Sequence, residues 1–267
     1  MKLNLEKLVK KVIFEELNRL DAFLTEDDVK ALLLEDGANR PARTSIVGYP
    51  PCPFYKELSR ALERWLEEKV CPVSDLPSYP LLDEQHYISE REAKFREVQY
   101  LLEGLSTLWN HWNEEEKQYR LRTIFQVIGR RGLLDLLGLR KTVGSQDLFP
   151  PSRKLLEDTF NALHSEKAQL TVGARALAKH GHRDQSSSWW GISSGSEVTK
   201  NEHANSVMTK IFDGATWINI HQLPQQINII EVRHADGYGA RWSFDGKSFR
   251  GFLEPQMEGG HEVGWRH

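Results

Sequence analysis

The segment WINIHQLPQQINIIEVRHADGYGARWSFDGKSFRGFLE, residues 217–254, decides the fold class. Apolar and polar residues alternate in four runs within it, which are WINIH, INIIEVRH, YGARWSF and SFRGFLE. A period of two is typical of strands that bury one face. Asp245-Gly246 separates the last two runs and favours a two-residue type I′ turn, in which both central positions have positive φ. The segment therefore predicts a small, mainly antiparallel sheet.

The residues before this segment are predicted to be helical. Apolar residues recur at intervals of three and four through most of the first 150 residues, beginning with residues 5–24. Thr25 with Asp28, and Ser89 with Glu92, form capping patterns that mark the starts of two helices. We therefore expect an α+β protein. An N-terminal helical region, residues 1–145, packs against a C-terminal domain, residues 150–267, in which helices flank the sheet.

Composition restricts the class of protein. The chain has 267 residues, of which 39% are hydrophobic and 27% charged, as is common in soluble globular proteins. Its net charge of −3 gives no overall basic field, so nucleic acid is predicted to be an unlikely partner. The sequence has no signal-peptide core and no apolar run near the roughly 20 residues that span a bilayer, so no membrane association is expected. The predicted location is the cytoplasm, with the nucleus as a second compartment.

The C-terminal 31 residues carry the leading candidate site. Residues 237–267 hold seven glycines, three arginines, two tryptophans and two histidines. Arg241 and Arg250 each lie four residues from the predicted turn, so a two-residue turn would place them directly opposite each other. Two guanidinium groups on one face suit a phosphate or a carboxylate. The alternative is that each arginine simply contacts Glu231, Glu254 or solvent.

The leading functional hypothesis is a soluble intracellular protein whose C-terminal domain binds a small anionic or aromatic ligand. The sequence specifies no cofactor and leaves open whether the protein is an enzyme, although His261 or Glu254 suits acid–base chemistry. The second hypothesis is that this chain is a non-catalytic interaction protein whose partner is another protein. The partner would contact the exposed apolar faces of its helices and residues 40–53 and 73–87. The predicted ligand-binding residues are Arg241, Trp242, Arg250, Glu254, His261, Trp265 and Arg266.

Histidines suggest a third hypothesis, a metal-dependent enzyme, since eight of ten follow residue 150. His180 and His182 suit either a metal or the C-terminal end of a helix, and the helix end is favoured, so no metal site is predicted. The order His182-x-Asp184, His234, Arg241 resembles that of the iron/2-oxoglutarate oxygenases. The resemblance implies a two-histidine, one-carboxylate iron site with an arginine for the keto acid. The metal ligands in this hypothesis are drawn from His180, His182, Asp184, His221 and His234.

Overall fold

The computed structural model describes residues 4–79, 84–180, 188–223 and 226–255. They form two compact units. The first unit runs to Pro150 without Val47–Tyr49, and the second combines Val47–Tyr49 with the residues from Pro151 onward. The division into domains at 145–150 remains a prediction, since compactness alone does not show that each unit folds independently.

The first unit is helical. Its α-helices are α1 (Glu6–Glu15), α2 (Glu26–Leu33), α3 (Phe54–Glu68), α4 (Gln85–Leu108) and α5 (Glu114–Leu136). Short 3₁₀ turns follow α1, α3 and α4 at Glu16–Asn18, Pro72–Asp75 and Trp109–His111. None of the helices among the described residues is long and apolar enough to cross a membrane.

Local sequence signals explain where these helices begin and bend. Thr25 caps α2 in a capping box with Asp28, as predicted. The box predicted at Ser89 is wrong, because α4 already begins at Gln85. Gly129 lies inside α5 with a non-helical φ of 65°, and it kinks the helix there.

The second unit confirms the α+β fold class. It contains α6 (Arg153–Asn161), α7 (Val172–His180) and α8 (Glu197–Asp213), followed by four strands. The strands are β1 (Ala215–Leu223), β2 (Ile227–His234), β3 (Gly239–Ser243) and β4 (Phe249–Leu253). They form an antiparallel sheet in the order β1-β2-β3-β4, so β4 is an edge strand.

Strand alternation gives this sheet two different faces. The face that we call the core face is apolar and aromatic, and its central row consists of Ile220, Ile230, Trp242 and Phe249. Phe212 of α8 stacks on Trp242 with ring centroids 5.6 Å apart, and Phe160 of α6 meets Phe249 edge to face at 5.0 Å. The opposite face, which we call the polar face, carries Asn219, His221, Glu231, Arg233 and Arg241.

The β3–β4 connection differs from its prediction. Gly246 has a φ of 71° and its N–H donates to the Ser243 carbonyl, while the Ser243 N–H donates to the Ser248 carbonyl, so the turn is longer than two residues. The register also shifts in β4: Arg241 pairs with Gly251, and the next residue, Trp242, pairs with Phe249. Arg250 lies in the resulting bulge and does not oppose Arg241, so that prediction is wrong.

Close packing of α7 on α6 depends on Gly173. A Cβ at this position would overlap the ring of the fully buried Phe160. Gly173→Ala is therefore expected to lower the free energy of unfolding by about 1–3 kcal/mol, measured by urea denaturation. Gly104→Ala on α4 is the control, because nothing lies within 4 Å of its Cβ, and it should stabilise by about 0.5–1 kcal/mol. A Gly173→Ala variant as stable as wild type would contradict this packing.

Candidate functional site

The polar face brings together a histidine, a glutamate and two arginines from three strands. Glu231 in β2 lies between its register partners Asn219 in β1 and Arg241 in β3. His221 is two residues beyond Asn219 and therefore lies on the same face, diagonally opposite Glu231. Arg233 is two residues beyond Glu231 in the same strand, so its side chain also emerges on this face.

The Glu231 carboxylate is the centre of this cluster. Its Oε1 accepts a hydrogen bond from Arg241 Nε at 2.9 Å and a second one from Arg241 Nη2. The same oxygen lies 3.2 Å from His221 Nε2, and Oε2 lies 3.4 Å from Arg233 Nη2. The Glu231 side chain is 6% exposed, whereas those of His221 and Arg241 are 22% and 16% exposed. The carboxylate is thus the buried part of the cluster, and the imidazole and the Arg241 guanidinium form its partly exposed rim.

The protonation state of Glu231 follows from these contacts. Burial opposes ionisation, but the hydrogen bond with His221 and the positive charges of Arg233 and Arg241 outweigh it and hold the Glu231 pKa well below its ordinary value. Glu231 is therefore a carboxylate at neutral pH. It can orient an imidazole and balance a cation, but it has no proton to donate.

Arg233 anchors the cluster to the surrounding backbone. Its Nη1 donates to the Gly237 carbonyl at 2.8 Å and to the Glu254 carbonyl at 2.9 Å. Burial lowers the Arg233 pKa, and the negative charge of Glu231 opposes that effect. The side chain is 4% exposed, so Arg233 positions Glu231 and the ends of β2 and β4 and is poorly placed to contact a ligand.

This arrangement combines two chemical capacities. An imidazole exchanges protons readily near pH 7, and a carboxylate on one ring nitrogen fixes the tautomer so that the other nitrogen can accept a proton. A guanidinium beside it can stabilise negative charge on phosphate oxygens. His221, Glu231 and Arg241 thus form a candidate acid–base site for an anionic substrate.

The predicted ligand-binding residues do not converge on one site. Arg241 belongs to the polar-face cluster, whereas Trp242 is fully buried in the core and donates from Nε1 to the Leu156 carbonyl. Arg250 is exposed on β4, and Glu254 Oε1 lies 2.6 Å from His180 Nδ1. His261, Trp265 and Arg266 lie outside the described residues, as does the predicted docking of the C-terminal tail.

The proposed metal ligands are also separated where they are described. His180 pairs with Glu254, His221 with Glu231, and His234 with Asp236 at 3.2 Å. His182 and Asp184 lie outside the described residues. Within the described ranges, no group of three or more histidine, cysteine, aspartate or glutamate side chains is placed to hold a metal ion.

Sequence reasoning overlooked Glu231 as a functional residue and considered His221 only as a metal ligand. The alternation of INIIEVRH places Glu231 and Arg233 on one face, opposite Ile230 and Val232. Two opposite charges inside an otherwise apolar strand are the signal that could have identified the cluster, because buried charges are costly unless they are paired.

Comparison with known proteins adds an independent finding. Residues 160–254 match the family model of the CdiA C-terminal tRNase toxin domain. This range covers α7, α8 and all four strands, and it includes every member of the polar-face cluster. Residues 1–159 lie outside the match.

One solved structure is similar to part of the chain. It is the toxic C-terminal tip of CdiA from Pseudomonas aeruginosa in complex with an immune protein. The identity is 31%, the similarity covers 36% of this chain and 99% of that chain, and the TM-score is 0.31. No curated protein matches this chain.

The family match corrects the functional predictions. The matched family is named for the cleavage of tRNA. This finding contradicts all three functional hypotheses, which were a small-ligand-binding protein, a non-catalytic interaction protein and an oxygenase-like metal enzyme. It also contradicts the prediction that nucleic acid is an unlikely partner. That prediction relied on the net charge of the whole chain, which does not show how cations are distributed over one matched segment.

The lowered pKa of Glu231 predicts a pH-dependent stability. Its ionised form stabilises the fold at pH values above the ordinary value of 4.5, and this contribution is lost as the pH falls toward the lower folded-state pKa. Glu231→Gln should destabilise by about 3–5 kcal/mol at pH 7, because it leaves buried cations unpaired. The difference from wild type should shrink below about pH 4.5 in urea denaturation at a series of pH values.

A matched control for this experiment is Glu202→Gln, since Glu202 is exposed on α8. It should match wild type in stability. Equal, pH-independent losses for both variants would refute the role of Glu231 as the charge centre of the polar face.

Proposed function

We propose that this chain is a ribonuclease toxin that cleaves tRNA, with its catalytic centre at His221, Glu231 and Arg241. The observation that carries the proposal is that the segment matching a tRNase toxin domain contains a buried carboxylate in contact with both an imidazole and a guanidinium. Phosphodiester cleavage needs a group that exchanges a proton and a cation for the developing charge, and the cluster supplies both.

His221 acts as the base in this proposal. Its Nε2 faces Glu231, so a neutral ring donates its Nε2 proton to the carboxylate and presents Nδ1 as the acceptor. Nδ1 takes the proton of a ribose 2′-hydroxyl, and the 2′-oxygen attacks the adjacent phosphorus. The bond from phosphorus to the 5′-oxygen breaks and a 2′,3′-cyclic phosphate forms. The leaving oxygen takes a proton from water, and the hydroxide so formed takes the proton from His221, which returns to its neutral form. The 2′-hydroxyl required for this step restricts the substrate to RNA.

Glu231 and Arg241 stabilise charges that develop during this step. Glu231 remains ionised and balances the imidazolium once His221 has taken the proton. Arg241 lies on the rim of the cluster, where its guanidinium can share its donors between Glu231 and a phosphate oxygen. A tRNA substrate supports the predicted cytoplasmic location as the place of action.

Replacement of His221 tests the proposal. His221→Asn keeps a polar side chain but removes the proton acceptor, so kcat/KM for tRNA cleavage should fall by about 10²–10⁴-fold. The measurement is cleavage of purified tRNA by the full chain, with products separated on a denaturing gel and their ends tested for the cyclic phosphate. Thermal melting should fall only slightly, because Arg233 and Arg241 still contact Glu231 when the hydrogen bond with His221 is lost.

His111→Asn is the matched control, because His111 is exposed and lies outside the family match. Its cleavage rate should equal that of wild type. A wild-type chain that leaves tRNA intact would overturn the proposed function, and a fully active His221→Asn variant would overturn the assigned centre.

A further inference from the structure

A second feature of the C-terminal unit, outside the catalytic cluster, is a cationic groove beside the edge strand. Its volume is about 360 Å³, and it lies between α7 and β4. It is lined by charged or titratable side chains and by one glycine of β4. These residues are His164, Arg175, Lys179, His180, Arg250 and Gly251. No carboxylate is among the described residues that line it, although His180, which does, pairs with Glu254 at 2.6 Å.

The three permanent cations of this groove are available to a ligand. Arg175 and Lys179 are exposed and lie four residues apart on α7, so they share one face of the helix. Arg250 is exposed and projects from the β4 bulge. Among the described residues, none of the three has a hydrogen-bond or ion-pair partner for its side chain, whereas Arg153 of the same unit contacts both Glu157 and Asp213.

Such an arrangement is unfavourable without an anion. Like charges four residues apart destabilise a helix, and the groove adds Arg250 to the same volume. The groove thus collects donors and positive charge, which suits phosphate groups.

The groove also lies at the β4 edge of the sheet, next to the strand that carries Arg241. Gly251 lines the groove and is the register partner of Arg241, which in turn pairs with Glu231. Neighbouring strands are about 4.8 Å apart, so the backbone of Gly251 is about 10 Å from that of Glu231. Because α7 packs with Phe160 against the core face, an RNA strand would pass around the β4 edge to reach the polar face. At a rise of about 3.4 Å per nucleotide, about three nucleotides are therefore the minimum span.

We propose that this groove is a second RNA subsite, which holds the phosphate backbone of the substrate a few nucleotides from the scissile bond. The inference rests on the proposed ribonuclease function. The C-terminal residues from Pro151 onward contain 13 basic and 13 acidic residues, so the groove concentrates positive charge locally and thereby directs the RNA strand. Arg175, Lys179 and Arg250 bind the backbone and take no part in bond cleavage.

The test compares two variants of equal charge change. The groove variant is Arg175→Gln, Lys179→Gln, Arg250→Gln, and the control is Lys154→Gln, Lys200→Gln, Lys247→Gln, whose positions do not line the groove. Binding is measured by the fluorescence anisotropy of a labelled tRNA at a series of salt concentrations, with His221→Asn added to every protein to prevent cleavage. Melting curves establish that each protein is folded.

The groove variant should bind tRNA at least tenfold more weakly than the parent at low salt. The slope of log affinity against log salt should decrease by about 2–3, one unit or slightly less for each lost phosphate contact. The control should change both quantities much less. With His221 restored, the groove variant should show a raised KM for tRNA and an unchanged kcat.

The outcomes separate this inference from the proposed function. If groove and control variants bind alike, the RNA subsite is overturned, even though wild type cleaves tRNA. If wild type fails to cleave tRNA, the proposed function fails, while the binding comparison still decides whether the groove holds RNA. If the triple variant is unfolded, Arg250→Gln alone is used, and an unchanged salt slope for this exposed position would refute the proposal.

Discussion

The ionised carboxylate of Glu231 is the interaction on which the polar face depends. It is almost completely buried, yet it contacts Arg233, Arg241 and His221 and carries the only negative charge among these four residues. Desolvation alone would favour a neutral acid, so the carboxylate persists because three neighbours favour its charged form. The same contacts fix the imidazole and the guanidinium in position. Stability and the proposed chemistry therefore depend on one group.

The aromatic core on the other face of the sheet makes this arrangement possible. Trp242 stacks on Phe212 and meets Phe249 edge to face at 5.2 Å, so β3 and β4 are held against the helices. Because side chains alternate along a strand, fixing Trp242 inward forces Arg241 outward, next to Glu231. A shift of one residue in register would exchange these two side chains, and the polar-face cluster would be lost.

The sequence predicted the strands of the sheet correctly, but it did not predict which side chains meet at the site. Alternation in residues 217–254 was sufficient for four antiparallel strands, since each strand has one apolar face. The bulge at Arg250 has no such signal, because the register shift depends on how β3 and β4 pack together in three dimensions. A single extra residue there moved Arg250 away from Arg241 and invalidated the predicted arginine pair. The longer turn around Gly246 also depends on tertiary packing, because Gly246 lies against Pro151 and Leu155.

Net charge was the least informative quantity for function, and the physical reason lies in screening and pairing. A phosphate responds to charges within about a Debye length, near 10 Å at 0.1 M salt, so distant acids on the same chain have little influence on it. Most arginines of this chain also bind a neighbouring carboxylate, as Arg153 and Arg241 do, and such pairs cancel in the total. What distinguishes a nucleic-acid surface is then a group of cations without acidic partners. In the described part of the C-terminal unit, Arg175, Lys179 and Arg250 satisfy that condition around one groove.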